Sequence, residues 1–353
     1  MVDQNSINEM NDNHIPFVSV IIVTFNRGTF IGACLNGVMH QSYPRDRYEV
    51  IVVDDDSTDN TAAIAAAKGA RIISHEENRG IPAARNTGLS VARGEIIAYI
   101  DDDAVADPEW LERLVEPFKD PSVTASGGLT FAYKTEYLAE RYLSAVGYGN
   151  PAPLGFGKSK NPLWRFLVYI KSMFASTKTA TRRAEVQAVY GLNCAFRASE
   201  LRAAGGFDEA LLADEDSEIC TRLRLRGARI IFTPEATIRH RHREHLFYLI
   251  WQTFRRAQFT IHYYAKEKKI PPIFPLPILY LCVAFTLVIL FPIVGITFMI
   301  LGPLVLYSWW AVKAFKTDNV EYLSYGYIQL ALEFAAILGM GRGKINTLRY
   351  ETL

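Results

Sequence analysis

The chain reads as an α/β protein built on an open, mostly parallel sheet, followed by a membrane-associated segment. Three observations predict this. Short β-branched apolar runs alternate with helix-like stretches through the first hundred residues or so. Acidic or amide residues close several of those runs. The stretch from about Ile273 to Trp310 is almost free of charge, unlike the soluble-looking chain before it. At 353 residues the chain has room for one large domain or two ordinary ones. Its formal net charge of +1 implies no nucleic-acid or other polyanion partner. The four cysteines form no CxxC pair, which argues against a zinc site or disulfide framework and suits a reducing compartment. The polar residues 1–16 lack an apolar signal core and read as a disordered tail.

The elements follow in order. Val18 to Phe25 is a buried strand, ended by Asn26-Arg27-Gly28. A helix is expected from about Thr29 to Met39, and a second strand from Tyr48 to Val53, closing on Asp54-Asp55-Asp56. Ser57 or Asp59 is placed to cap a helix over Ala62 to Lys68. Ala70 to Ser74 is a third strand, and Pro82 opens a helix that runs to about Ala92. Ile96 to Ile100 is then a buried strand that runs straight into Asp101, Asp102 and Asp103. Three carboxylates at one strand tip repel one another unless a cation or donors compensate, and a hard divalent cation is one such partner. An isolated DDD is more often a solvated turn. In a doubly wound sheet, however, ligands bind beyond the carboxyl ends of the strands, where Asn26, Asp54–Asp56 and Asp101–Asp103 converge.

Further on, Ser122 to Phe131 and Tyr190 to Arg197 read as strands, with aromatic helices and loops expected between about Lys134 and Thr181. Asp214 to Glu218 opens a helix that Gly227 ends, its acidic first turn suited to the helix dipole. Arg229 to Thr233 is a last strand, leading to Ala236–His240.

These stretches resemble the inverting family-2 glycosyltransferases. The resemblance rests on VSVIIVTFNR (Val18–Arg27), EVIVVDDDSTDNT (Glu49–Thr61) and ENRGIPAARNTGLSVARGEIIAYIDDDAVADPEWL (Glu77–Leu111). GLNCAFRASELRAAGGFDEALLADEDSEICTRLRLRG (Gly191–Gly227) and IFTPEATIRH (Ile231–His240) continue it, so most of Val18–His240 is covered in family order. It departs at Asp56, where many members have Gly. The resemblance implies a GT-A fold, an open mixed sheet flanked by helices, over a catalytic domain at 17–243. It implies nucleotide-sugar contacts from Thr24, Asn26, Arg27, Asp54, Asp55, Arg79, Arg85, Asp101 and Asp102. It further implies Mn²⁺ or Mg²⁺ held by Asp103 and Asp101, with His240 as a third ligand, so that the metal stabilises the leaving diphosphate. Asp216 is the implied general base and Glu215 its alternate; either could instead only cap the helix.

Beyond His240 the chain changes character. Leu246 to Tyr264 mixes aromatics with Arg255 and Arg256 and reads as an amphipathic interfacial helix within 244–270. Trp251 to Arg256 partly resembles the QxxRW element of processive synthases, but Arg256 stands where its tryptophan belongs. Residues 271–316 read as a transmembrane hairpin turning near Phe291–Gly295, with Lys266, Lys268, Lys269, Lys313 and Lys316 keeping both ends cytoplasmic. Residues 317–353, with Glu333 amid an apolar stretch, read as a helix in the interface or packed on the hairpin. The leading expectation is a multi-pass, membrane-anchored enzyme moving sugar from a nucleotide-diphosphate donor to a glycan or lipid-linked acceptor at the cytoplasmic face. A polyprenyl-phosphate sugar synthase, a non-catalytic nucleotide-sugar-binding envelope module and a nucleotidyltransferase are the alternatives.

Overall fold

The computed structural model describes residues 14–151, 161, 164, 167, 182–268, 271 and 275–351. The expected N-terminal tail, the loops expected beyond residue 151, and the first residues of the expected hairpin fall partly or wholly outside them. The chain divides into two compact units. The first holds residues 1–134, 147–156 and 179–242; the second holds 135–146, 157–178 and 243–353.

In the first unit, strands β1 (Val18–Thr24), β2 (Tyr48–Asp54), β3 (Arg71–Ser74) and β4 (Ile96–Ile100) alternate with helices α1 (Gly28–Met39), α2 (Thr61–Ala67) and α3 (Ile81–Val91). After them come β5 (Ala104–Ala106), α4 (Trp110–Val115) and β6 (Val123–Ala132). Past the helix α5 (Leu138–Val146), which belongs to the second unit, lie β7 (Ala184–Glu185), β8 (Asn193–Arg197), α6 (Ala198–Ala203), α7 (Glu215–Leu225) and β9 (Arg229–His240). The strands form one sheet in the order β3-β2-β1-β4-β8-β6-β9-β5, with β7 on β9. The first four are parallel, as the alternating pattern predicts. The sheet then turns mixed, because β8 enters antiparallel to β4, setting Asn193 opposite Ile100.

Helices cover both faces, which explains why the strands are continuous apolar runs rather than alternating ones. Val18, Val20 and Ile22 pack with α1 and α4, through Ile31, Leu35, Trp110 and Leu114. Ile21, Ile51, Ile97 and Tyr99 pack with α3, α6 and α7, through Ala84, Leu89, Leu201, Ile219 and Leu223.

Among the boundaries that differ from expectation, three have a local physical cause. β8 starts at Asn193 because Tyr190–Asn193 is a turn, closed by the Asn193 N–H on the Tyr190 carbonyl at 3.0 Å. The two expected segments 229–233 and 236–240 are one strand, with Pro234 and Glu235 accommodated where the β6–β9 register shifts between Gly128 and Leu129. The residue preceding α2 is Asn60, without a side-chain cap. Asp59 Oδ1 still accepts the Thr61 N–H at 2.9 Å, and the Ser57 hydroxyl accepts the Asn26 N–H at 2.8 Å.

The second unit is helical: α5, α8 (Leu246–Lys266), α9 (Pro275–Leu290), α10 (Pro292–Leu306), α11 (Ser308–Thr317) and α12 (Tyr322–Glu351). Helix α12 lies against α8 at close range: a Cβ on Gly339 would sit 2.2 Å from the Phe254 carbonyl oxygen, and one on Gly343 2.2 Å from that of Gln258. Glu333 is buried and accepts from the Tyr307 hydroxyl at 2.8 Å and the Gln329 amide at 3.0 Å. The expected hairpin turn is present between α9 and α10, but these helices have 16 and 15 residues. That is less than the roughly 20 residues a hydrocarbon core requires. Pro292 starts a new helix, and the chain bends by 65° between α10 and α11. Tyr322–Ile345, in the segment expected to lie in the interface or pack on the hairpin, is the one described helix long and apolar enough to cross a membrane; α10 with α11 would be a second only if taken together across the bend.

Candidate active site

Pairing of β5 with β9 opposes Ala104 to His240 and so returns the end of β9 to the acidic triplet. The Arg241 N–H donates to the Asp103 carbonyl at 3.1 Å, locking that register. His240 Nε2 lies 3.0 Å from Asp103 Oδ1 and 3.8 Å from Asp101 Oδ2. One ligand atom from each of Asp101, Asp103 and His240 falls within 4.8 Å of the others. Behind them, His240 Nδ1 is 3.3 Å from His242 Nδ1. Burial, with His240 adding to it, pulls the His242 imidazole down to about 4, so it stays neutral near pH 7.

Two carboxyls of the triplet are pushed above their ordinary range. Burial first, and then Asp103, push Asp102 up to about 7, against the pull of nearby Thr24 and Arg27. Asp101 is raised for the same two reasons, although its side chain keeps 41% of its surface exposed, and His240 and Arg85 act against the rise. Arg27 stands 3.8 Å from Asp102 and 4.0 Å from Asp103, so it is directed at the acid cluster. The donor set of two carboxylates and one imidazole fits a hard or borderline divalent cation such as Mn²⁺ or Mg²⁺. Such a cation would relieve the mutual repulsion that raises these carboxyls.

Glu215 and Asp216 form the first turn of α7. Glu215 Oε1 accepts from Arg85 Nη1 at 2.6 Å, while Arg85 Nη2 lies 4.0 Å from Asp101 Oδ1. Burial opposes the Arg85 charge, but Glu215, Asp101 and Asp216 more than offset this and hold it firmly protonated. Asp216 is buried; its Oδ2 accepts the Gly191 N–H at 3.2 Å and its Oδ1 the Ser217 N–H at 2.7 Å.

The strand tips on the other side of β1 are arranged differently. Asn26 takes φ 53°, a left-handed conformation its side chain tolerates, and Oδ1 accepts the Thr58 N–H at 2.8 Å. Asp54 accepts the Ser57 N–H at 3.2 Å. Asp55 is buried and holds the 75–80 loop: His75 Nδ1 at 2.6 Å, the Arg79 N–H at 2.9 Å and the Gly80 N–H at 2.8 Å. Asp56 adopts φ 71°, the left-handed turn that a glycine there would form without strain. The Arg79 guanidinium lies out at Glu209, 3.4 Å away.

Residues 19–186 match the family model described as glycosyl transferase family 2. This stretch, just under half of the chain, is similar to the family 2 glycosyltransferases. Over 135 residues it is 42% identical to the glycosyltransferase AglE of Haloferax volcanii, covering 36% of this chain and 44% of that protein. It is 30% identical over 202 residues to a pre-mycofactocin glycosyltransferase of Mycobacterium tuberculosis, 56% of this chain and 38% of the relative. It is 25% identical over 257 residues to the glucosyl-dolichyl phosphate glucuronosyltransferase of H. volcanii, 67% of this chain and 73% of the relative. The match thus spans less than half the length of the first two. Among solved structures, the mannosyltransferase PcManGT from Pyrobaculum calidifontis, in complex with GDP-Man and Mn²⁺, aligns with a TM-score of 0.55. At 24% identity over 93% of this chain and 88% of that one, this likeness shows a GT-A-like fold.

Within the first unit, the structure gathers Asp101, Asp103, His240, Arg27, Arg85 and Glu215 into one network, with Asp102 and Asp216 beside it. Thr24 pairs in register with Asp54, and its buried hydroxyl makes no hydrogen bond among the described residues. Asn26, Asp54 and Asp55 shape the neighbouring loops, and Arg79 stands apart on Glu209. Sequence reasoning missed His75 and Gly191. His75 directly follows the last residue of β3, the same strand-end position that singled out the acidic clusters. Gly191 carried no signal, since its role depends on two partners far away in sequence.

Proposed function

We propose that the chain is an inverting glycosyltransferase that moves a sugar from a nucleotide-diphosphate donor to a glycan or lipid-linked acceptor, with Mn²⁺ or Mg²⁺ bound by Asp101, Asp103 and His240. The observation that carries this reading is the convergence of those three side chains in a site joined through Arg85 to the Glu215–Asp216 turn. When bound, the cation would neutralise the leaving diphosphate. Arg27 adds positive charge at the same acidic tip. Asp216, fixed by two backbone N–H groups, takes the proton of the acceptor hydroxyl as the bond to the sugar carbon forms. His242, kept neutral by burial, orients His240.

The lipid-linked side of the proposal is supported by the relative named for a dolichyl phosphate substrate and by the apolar Tyr322–Ile345 helix. We place the enzyme at a membrane, with the glycosyltransferase-like unit on the cytoplasmic side, where nucleotide sugars are found. The test is a panel of nucleotide-diphosphate sugars with Mn²⁺, Mg²⁺ or chelator, scored for donor hydrolysis, transfer to polyprenyl-phosphate-linked glycans, and protection against unfolding. Metal-dependent use of one donor class is expected. Full turnover in chelator, or no donor use across the panel by folded protein, would overturn the reading.

A further inference from the structure

We infer that Gly191 and Arg85 act as a positioning pair that sets the Glu215–Asp216 carboxylates against the Asp101 end of the acidic triplet. The inference rests on the proposed function, in which Asp216 takes the acceptor's proton. Its grounds are contacts that join three separate parts of the chain.

Arg85 comes from α3 and is only 5% exposed. Its guanidinium lies 5.3 Å from the Phe207 ring centroid and 5.9 Å from that of Tyr99, with Glu215 at 2.6 Å and Asp101 at 4.0 Å. A planar fork held between two carboxylates from two different elements fixes direction as well as charge. Desolvating such a group is costly, so it stays in place only while both partners are correctly set. In sequence Arg85 reads as a diphosphate contact, but here it is committed to protein carboxylates.

Gly191 supplies the seat. A Cβ at this position would lie 2.0 Å from Arg85 Nη2, 2.3 Å from Cζ and 2.7 Å from Nη1. Any side chain therefore displaces the guanidinium. The same residue donates its N–H to Asp216 Oδ2 at 3.2 Å. Its neighbour Leu192 accepts the Asp101 N–H at 3.4 Å. The turn before β8 thus touches the acidic triplet on one side and α7 on the other, with Arg85 bridging the two motifs above it. A reacting sugar has to fit between a proton acceptor and a charged diphosphate site, and misplacement by about 1 Å costs on the order of 10²-fold in rate.

The test compares wild type, Gly191→Ala, Arg85→Lys and the double variant, using the donor found by the panel above. Gly191→Ala is expected to lose ~10²-fold in turnover while the donor dissociation constant by calorimetry moves less than about threefold. Arg85→Lys keeps a cation for Glu215, removes both Nη atoms that a Cβ at 191 would strike, and leaves at the Cζ position a single amino group that can rotate aside. The double variant should therefore turn over at least about tenfold faster than Gly191→Ala, a sign reversal that independent sites do not give. Losses that simply multiply, or wild-type turnover in Gly191→Ala, would overturn the pair.

Unfolding midpoints in chelator give a readout without activity. Gly191→Ala should lower the midpoint and Arg85→Lys should restore part of it; additive shifts count against the pair. If Gly191→Ala alone does not fold, a soluble double variant supports the pair and an equally insoluble one overturns it. Coupled midpoints in a wild-type protein that uses no donor would instead sink the function while leaving the positioning pair intact.

Discussion

Two acidic triplets flank the same strand and behave in opposite ways. Asp54–Asp56 and Asp101–Asp103 close β2 and β4, the two parallel neighbours of β1. In the first, the loops that follow supply the donors. Ser57 reaches Asp54; Arg79, Gly80 and His75 reach Asp55; Asp56 turns the chain. In the second, the nearby donors come from Arg27, Arg85 and His240 on other elements, at 3.0 Å for His240 and 3.8–4.0 Å for the arginines. Burial and mutual repulsion raise Asp101 and Asp102. Identical residue types therefore serve folding in one triplet and crowd uncompensated negative charge in the other, which is the repulsion the proposed cation would relieve.

The largest expected effect tests that repulsion directly. Asp103→Asn should cut transfer by ~10³-fold, the upper range for removing one electrostatic partner of a developing charge. It should also abolish the stabilisation by Mn²⁺ expected in wild-type unfolding curves. Near-normal rates or an unchanged Mn²⁺ shift in Asp103→Asn would make the two triplets equivalent and break the comparison. Next in size, Asp216→Asn should lower turnover by ~10²-fold, the scale of general-base catalysis, with donor affinity near wild type. Calorimetric donor titration beside initial rates checks it. Normal turnover here, with Glu215→Gln inactive, would assign the base to the neighbouring carboxylate.

The parallel half of the sheet was legible because β-branched runs and strand-end punctuation are local signals. The same rule located both acidic triplets. Which triplet was satisfied was not legible, since Asp55 owes its partners to a loop more than twenty residues away. Arg79 and Arg85 looked alike in sequence as cations near a diphosphate; one is half-exposed against Glu209 and the other is buried between two motifs. The long strand at 229–240 was hidden by Pro234, which the register shift accommodates. In the second unit, the uniform apolarity of 273–310 suggested two spans, whereas the helix breaks depend on Pro292 and the bend after Leu306.

A smaller effect separates the triplets by stability. Asp55→Asn replaces an acceptor of two backbone N–H groups by an amide that cannot accept through both arms. One buried donor loses its partner, and the expected loss is ~2 kcal/mol of folding stability. Asp103→Asn, measured in chelator, should cost less than this, because it removes a like charge. Denaturant unfolding of both variants in the same buffer is the measurement. Equal losses would mean that both triplets are structural.

The smallest effect depends on pH. The Asp102 carboxyl is pushed up to about 7 by burial and by Asp103, well above the usual carboxylate range. The folded state therefore keeps a proton that the unfolded chain has released between about pH 4 and pH 7. Because the folded state binds more protons in that window, this group's contribution to stability is fully present below pH 4 and lost as pH rises through 7. Asn cannot titrate, so Asp102→Asn lacks that loss. In chelator the variant should gain on the order of 1 kcal/mol over wild type at pH 8 and show no such gain near pH 4. Arg27, 3.8 Å from Asp102, works against the gain by losing a partner, which keeps the expected figure small. His242 titrates in the opposite sense, but it is present in both proteins and cancels in the difference. Unfolding curves for the two proteins at pH 4, 6 and 8 settle the sign, and a gain that is largest at pH 4 would show that Asp102 is compensated in the manner of Asp55.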